Sequence, residues 1–524
     1  MSILRVPGYL WRLVRIGGTL ARAGALARMR AHPSLGRRTR WALRAAEIGL
    51  APFGAKGDPS LPPMARAFTA LGPAEVKLGQ MLSTRPDVVG PEVSAELRSL
   101  QDRVPPFPDE EARRIVEQEL GAPVDTLFTR FDPAIAAASI AQVHKAVTPE
   151  GRTVAVKVLR PDIEEDFLRD IAAFRFVARV AERFLPASRR LKPVAVYDHF
   201  EETTRIELDL RLEAAAGSEF ARNTENDPHF RVPAIDWERS SRRVMTSEWI
   251  DGTPISDRPA LVAQGIDPVK LGERVIQSFL SQGLRDGLFH ADMHQGNLLV
   301  DRAGCIVALD FGIMGRLDPL TRRFYADILL SFVRRDYERA ARVHREAGYL
   351  PEDQPIDAFA QALRATAEPI FGLGARNISM ARLLGQLFSV TERFGMETQT
   401  QLILLQKTMV MVEGVARDLD PDVNMWTAAR PILEDWVRRN LGPEGIARDL
   451  KATAEILSGL GPRLPQAAER LVMLLDRRTG ERGPFAAPPA VVQVRTPMLP
   501  VALAAVAGGA VGAGVVAVLL GVTG

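Results

Sequence analysis

The chain has 524 residues, with 67 Lys and Arg against 64 Asp and Glu and 46% hydrophobic residues. A chain of this size exceeds what one hydrophobic core organises, so two or more packed units are expected; a peptide, a disulfide mini-protein and a disordered tail are excluded. The near balance of charge argues against a nucleic-acid partner, and the single cysteine, Cys305, excludes an internal disulfide and a Cys-rich metal site.

Residues 1–56 depart from this balance, with eleven Lys or Arg residues and one acid, Glu47. Tyr9, Trp11, Leu13 and Val14 interleaved with Arg12 and Arg15 have the content of a helix lying on an anionic membrane surface, although a solvated basic helix or an organelle transit segment shares this pattern. Arginines interrupt every apolar run, which excludes a secretory signal.

From about Pro59 to Leu120 the pattern is helical, with Val76, Leu78, Met81 and Leu82 on the apolar side and breaks at Pro86 and at Pro105-Pro106. The period then changes. Phe128–Phe131, Ile140–Ala146 and Thr153–Leu159 read as short strands, with Pro149-Glu150-Gly151 as a turn. Helical stretches are expected over Ile163–Leu185 and Val194–Asn223, followed by a strand over Arg243–Ile250 that closes at Asp251-Gly252. Beyond Pro268 the reading is helical, interrupted by apolar runs at Asn297–Val300 and Ile306–Leu309 that a turn at Arg302-Ala303-Gly304 makes into a hairpin. The expected fold class is α+β, a small mixed lobe followed by a larger helical one. Gly483–Pro500 is Pro-rich and reads as a linker over 483–498.

Leu499–Val522 contains no charged residue in 24 positions, and a helix of that length reaches about 36 Å, enough for a hydrocarbon core of roughly 30 Å. It predicts one transmembrane helix over 499–522. Arg477, Arg478, Arg482 and Arg495 precede it and orient the body towards the cytoplasm of a bacterial inner membrane or the mitochondrial equivalent. Ala505, Gly509 and Ala513, with Gly508 and Gly512, form small-residue lines that would allow a homodimer through this helix.

The chemistry concentrates at His290-Ala291-Asp292-Met293-His294-Gln295-Gly296-Asn297, with Asp310-Phe311-Gly312 thirteen residues beyond Asn297. Phosphoryl transfer needs a carboxylate at the attacking oxygen and oxygen ligands for Mg²⁺ across the nucleotide phosphates. Asp292 and Asn297 have the five-residue spacing of the catalytic base and metal-binding amide of kinases, and the hairpin then delivers Asp310 as a second metal ligand. His290 would orient the loop. Upstream, Val154-Ala155-Val156-Lys157-Val158 presents one cation, Lys157, to hold the phosphates. Its carboxylate partner should lie in Glu207-Leu208-Asp209-Leu210-Arg211-Leu212-Glu213, where three acids qualify. Cys305 reads as a small buried apolar residue and His294 as a hydrogen-bonding loop residue; Leu402, Leu404, Leu405, Met409 and Met411 read as helix core.

On these residues the chain resembles the UbiB family of atypical protein-kinase-like proteins, also called the ADCK family, whose members support ubiquinone biosynthesis at membranes. Lys77-Leu78-Gly79-Gln80 is similar to that family's KxGQ signature. Residues Ala136 to His144 are similar to its alanine-rich loop, which stands where ordinary kinases carry a glycine-rich one. The resemblance implies a bilobal kinase-like fold with an added helical KxGQ extension over 57–120, an N-lobe over 121–250 and a helical C-lobe over 251–482. It implies nucleotide contacts from Ile135, Ala136, Ala137, Ala138, Ser139, Ile140, Ala141, Gln142 and Val143, with Lys157, Glu248 and Ile250, and bound ATP or ADP with Mg²⁺. Glu207 and Asp209 match the family's ExD motif, a regulatory pair facing Lys77 and Gln80, and the resemblance implies that Glu213, in the Glu-Ala pair that follows, is the partner of Lys157. Met293 and Gln295 replace two prolines of the family's usual catalytic loop, which is expected to loosen it.

The resemblance further implies a membrane-bound ATPase or small-molecule kinase, with anionic lipids, quinone-biosynthesis enzymes or lipophilic phenolic intermediates as partners. A nucleotide-binding scaffold that assembles biosynthetic enzymes is the alternative. Protein-kinase activity is not expected. The chain passes from Gly312 through Arg316 to a helix at Pro319 without room for a long activation loop, no APE element follows, and Ala291 stands where a loop-sensing arginine would sit.

Overall fold

The structure is a computed structural model that describes residues 6–30, 36–83, 91–97, 99–100, 106–137, 140–165, 193–371, 380–396 and 400–441, with Phe167, Arg175 and Arg179. The linker, the proposed span Leu499–Val522, Ala138 and Ser139 lie outside these residues. Among the described residues no helix is long and apolar enough to cross a membrane. The described residues divide into two compact units, one reaching Ala214 and including Ile235–Trp249, the other built from Ala215–Ala234 and the described chain from Ile250 to Leu441.

The first unit begins with helices α1 (Val6–Arg22), α2 (Ala25–Arg30), α3 (Arg37–Leu50), α4 (Pro63–Leu71), α5 (Pro73–Ser83) and α6 (Pro91–Leu97). The basic segment is packed rather than detached. Leu20, Leu26 and Leu43 share one core with Phe68, Leu78, Leu82 and Leu97, and that core continues to Leu159, Leu208 and Leu210. Polar ties reinforce it: Ala55 N donates to Thr19 Oγ1 at 3.0 Å, and Arg22 Nη1 to the Gly54 carbonyl at 2.7 Å. Gly79, inside the KxGQ tetrapeptide, permits the close approach of α4 and α5, since a Cβ there would stand 2.8 Å from Phe68 Cδ1.

Helix α7 (Asp109–Leu120) opens with three acids at its positive end and stops at Gly121, whose φ is +72°. It covers one face of an antiparallel sheet of β1 (Arg130–Ala137), β2 (Ala141–Val147), β3 (Thr153–Leu159) and the strand Val244–Glu248, joined in that order. The alternation of β3 explains both faces. Val154, Val156 and Val158 point into the core with Ile115 and Val116, which turns Lys157 to the other side. The turn at Pro149-Glu150-Gly151 is present, with Gly151 at φ +80°.

Two local readings need correction. The first strand starts at Arg130 and runs through Ala137, not over Phe128–Phe131; Phe128 instead closes the short helix Val124–Leu127. Alanines have little intrinsic preference for strands, and β1 exists because Ala134, Ala136 and Ala137 pair with His144, Val143 and Gln142 of β2. The expected helix Val194–Asn223 is two helices, Pro193–Glu207 and Leu210–Asn223. At the break Leu210 N donates to the Arg242 carbonyl (2.9 Å), and the Asp209 carboxylate accepts from Arg211 N (3.1 Å), which diverts these amides from helical partners.

The second unit is mainly helical, with helices Pro268–Ser281, Pro319–Arg334, Tyr337–Glu346, Ile356–Phe371, Met380–Arg393, Thr400–Leu419 and Met425–Leu441. Asp267 and Asp318 cap two of them, each followed by Pro at the first helical position, where the missing N–H costs nothing. Phe279, Phe289, Leu405, Met409 and Val412 are in its core. A small sheet takes Phe230–Arg231, Ile306–Ala308, Leu298–Asp301 and Gly252–Pro254 in that order, and Leu288–His290 pairs with Met314–Arg316. The hairpin expected before Asp310 is formed by Leu298–Asp301 and Ile306–Ala308. Cys305 lies in its turn, half-buried, and burial raises its thiol pKa.

Candidate active site

In the first unit, Lys157 stands opposite Val143 of β2 and Met245 of the neighbouring strand. Its Nζ is 2.7 Å from Glu213 Oε1, in the first turn of Leu210–Asn223, and the two side chains are only 14% and 7% exposed. The three acids left open by the sequence are thus sorted by the helix break. Glu207 ends the preceding helix and lies 2.6 Å from Lys77 Nζ, while Asp209 takes Arg211 at 2.6 Å. Those bonds to Arg211 hold the Asp209 carboxyl below its ordinary pKa. Gln80 Nε2 donates to the Leu100 carbonyl at 3.1 Å.

The alanine-rich segment is the turn end of β1 and β2. Ala136 and Ala137 lie opposite Val143 and Gln142, Ile135 is 53% exposed, and Ile140 and Ala141 lead into β2. Val143 shares the Lys157 face, whereas the Gln142 side chain is on the opposite one. There Gln142 Oε1 accepts from Phe107 N at 3.0 Å, and its Nε2 is 2.9 Å from His144 Nε2, so only its backbone faces away from the core. Glu248 lies at the end of its strand opposite Val154. Ile250 belongs to the second unit and is buried.

In that second unit His290 is fully buried beneath the loop 291–297. Asp292 N donates to His290 Nδ1 at 3.1 Å, which requires that nitrogen to be bare; the proton is therefore on Nε2, 3.0 Å from the Leu309 carbonyl. Burial lowers the His290 pKa and favours this neutral form. The imidazole thus ties the loop to the residue before Asp310. Asn297 adds a second tie: its Nδ2 donates to the Asp292 carbonyl (3.1 Å), and its own carbonyl accepts from Leu309 N (2.8 Å). Asp310 adopts φ 51°, a left-handed conformation uncommon outside glycine, and its Oδ1 accepts from Gly312 N at 3.1 Å.

Met293 and Gln295 hold the loop rather than loosen it. Met293 is completely buried in the helical core, and Gln295 Nε2 donates to Asp418. Thr408 Oγ1 donates to the Ala291 carbonyl at 3.0 Å. His294 accepts from Gly296 N through Nδ1, as a loop hydrogen-bonder does. Phe311 packs on Phe220 and His290 with ring centroids about 6 Å apart. Gly217 makes that packing possible, since a Cβ there would stand 2.8 Å from Phe311 Cδ2. Neither Gly217 nor Thr408 is visible as a site residue from sequence; the one available sign was a glycine inside an otherwise strong helical run. After Gly312 the chain enters the strand Met314–Arg316 and then the helix at Pro319, with Arg316 bound to Glu219 at 2.8 Å.

A model of the ABC1 atypical kinase-like domain matches residues 99–344, and a model of the UbiB helical domain matches residues 363–424. A probable protein kinase UbiB from Marinobacter nauticus is 43% identical over 405 residues, 76% of this chain and 74% of its own. The chain belongs to the UbiB family. Proteins of the same name from Aeromonas salmonicida and Azotobacter vinelandii are 42% and 41% identical, with similar coverage. Among solved structures, the Rv3197–erythromycin complex from Mycobacterium tuberculosis matches 68% of this chain and 91% of its own, with a TM-score of 0.50 and 24% identity, a likeness of fold. The UbiB fold here is therefore the atypical kinase-like α+β one.

Proposed function

We propose that this chain is a membrane-associated, Mg²⁺-dependent atypical kinase that binds ATP or ADP and hydrolyses ATP, or passes its γ-phosphoryl group to a small molecule, in support of ubiquinone biosynthesis. The observation that carries the reading is the buried Lys157–Glu213 pair, in a chain that also ties Asp292, Asn297 and the Asp310 segment into one hydrogen-bonded loop. A lysine held by a carboxylate is a fixed point charge for nucleotide phosphates. Asp292 is the group to receive a proton from the attacking water or hydroxyl.

The donor set fits Mg²⁺, which takes oxygen ligands. Asn297 and Asp310 would hold the ion, and the strained φ of Asp310 fixes a carboxylate at a position where the backbone alone would not favour one. Bound there, Mg²⁺ supplies charge neutralisation across the phosphates. The short passage from Gly312 to Pro319 and the Lys77–Glu207 ion pair support a small acceptor over a protein one. Basic residues 1–56 and the apolar segment 499–522 support membrane association.

Titration of the full chain with ATP and with ADP tests this reading. Binding is expected with Mg²⁺ present and is expected to weaken at least tenfold when a chelator removes the ion. Failure to bind either nucleotide under both conditions would reject it.

A further inference from the structure

Helix α3 has an unusual exposed face. Leu43 is buried on its inner side, whereas Trp41 is 77% exposed and Ile48 70%. Seven residues are two turns, so these two side chains lie on one stripe roughly 10 Å apart. Arg37, Arg40 and Arg44 flank that stripe and are exposed as well. A solvated helix face does not concentrate a tryptophan and an isoleucine among guanidinium groups; a helix resting in the headgroup layer does.

Beside this face is a cleft of about 330 Å³, lined by Ala27, Arg30, Arg40, Trp41 and Arg44. Arg30 makes an ion pair with Glu47 at 3.5 Å, yet its Nε is buried with no hydrogen-bond acceptor among the described residues. Guanidinium forks match phosphate oxygens in geometry as well as charge. Helix α1 buries residues 17–21, and its exposed aromatic, Trp11, packs edge-on against Phe53 rather than standing clear of the surface.

We infer that α3 docks this chain on an anionic phospholipid surface, with a headgroup phosphate held by Arg30, Arg40 and Arg44 and with Trp41 and Ile48 entering the interfacial layer. The inference rests on the membrane-association reading above and assigns it a face and a ligand chemistry. The charge of the segment, eleven basic residues to one acidic in residues 1–56, complements such a surface and disfavours a basic or purely apolar protein partner.

The test uses the full chain with vesicles of phosphatidylcholine bearing brominated acyl chains, with and without phosphatidylglycerol. The chain has six tryptophans, so the emission of Trp41 is the difference between the parent and Trp41→Phe. That component is expected to be quenched when phosphatidylglycerol is present, and Arg40→Ala combined with Arg44→Ala is expected to raise the lipid concentration for half-maximal quenching about thirtyfold, the scale on which two surface arginines contribute to anionic-lipid attraction. Vesicle-bound protein whose Trp41 component is unquenched, or whose half-maximal lipid concentration is unmoved by the double arginine change, overturns the docking face while leaving membrane association standing. Protein that binds neither vesicle overturns both.

Discussion

Asp310→Asn is expected to lower Mg²⁺-dependent phosphate release from ATP by about a thousandfold, the scale on which a single group aimed at transition-state charge acts. The exchange removes one negative charge and little else. Asparagine tolerates the left-handed φ of 51° that Asp310 adopts, and its side-chain carbonyl can accept the Gly312 N–H as Oδ1 does now. The unfolding midpoint should therefore stay within a few degrees of the parent, which separates loss of the metal ligand from loss of the fold. Nucleotide affinity should lose its dependence on Mg²⁺. Turnover equal to the parent would remove Asp310 from the metal site.

Lys157→Met is expected to combine loss of nucleotide binding with a loss of roughly 3 kcal/mol in stability, because it takes the ammonium from a carboxylate that is only 7% exposed. The two effects can be dissected. Glu213→Leu added to Lys157→Met removes the stranded charge, and the double variant should recover most of the stability without recovering ATP binding. Thermal unfolding and ATP titration of the three proteins read both quantities. If Lys157→Met alone is as stable as the parent and still binds ATP, the pair is neither buried nor functional in the way described.

The candidate site was the most legible part of the chain. Lys157, Asp292, Asn297 and Asp310 stand out because the proposed phosphoryl transfer demands those residue types at restricted spacings on a strand, a loop and a hairpin. The partner of Lys157 was harder. Glu207, Asp209 and Glu213 are alike in local sequence, and they are distinguished by a helix break that depends on the distant Arg242 carbonyl. Strand β1 was obscured for a related reason: its alanines gain strand geometry from pairing with β2, a contact that propensity does not report. Gly217 is meaningful only once Phe311 lies against it. The replacement of two prolines by Met293 and Gln295 suggested a looser loop, but the side chains that came with the change anchor it to core and to Asp418.

The basic segment shows the same limit. Its composition indicated a surface-seeking helix, and the amphipathic look of Tyr9–Val14 placed that role on α1. Packing buries residues 17–21 of α1, leaves Trp11 of the same helix exposed, and turns Trp41 and Ile48 of α3 out as well. Composition reports that a chain holds aromatic and basic residues; only the packed core decides which of them are left at the surface.

Phosphate release from ATP and Mg²⁺ by the purified full chain, with and without anionic vesicles and a phenolic quinone-precursor mimic, tests the central claim most directly, with Asp310→Asn as the blank. Release above the blank, increased by vesicles or by the phenol, is the predicted result. Nucleotide binding with release no greater than the blank under every condition would contradict it and make the chain a nucleotide-binding scaffold.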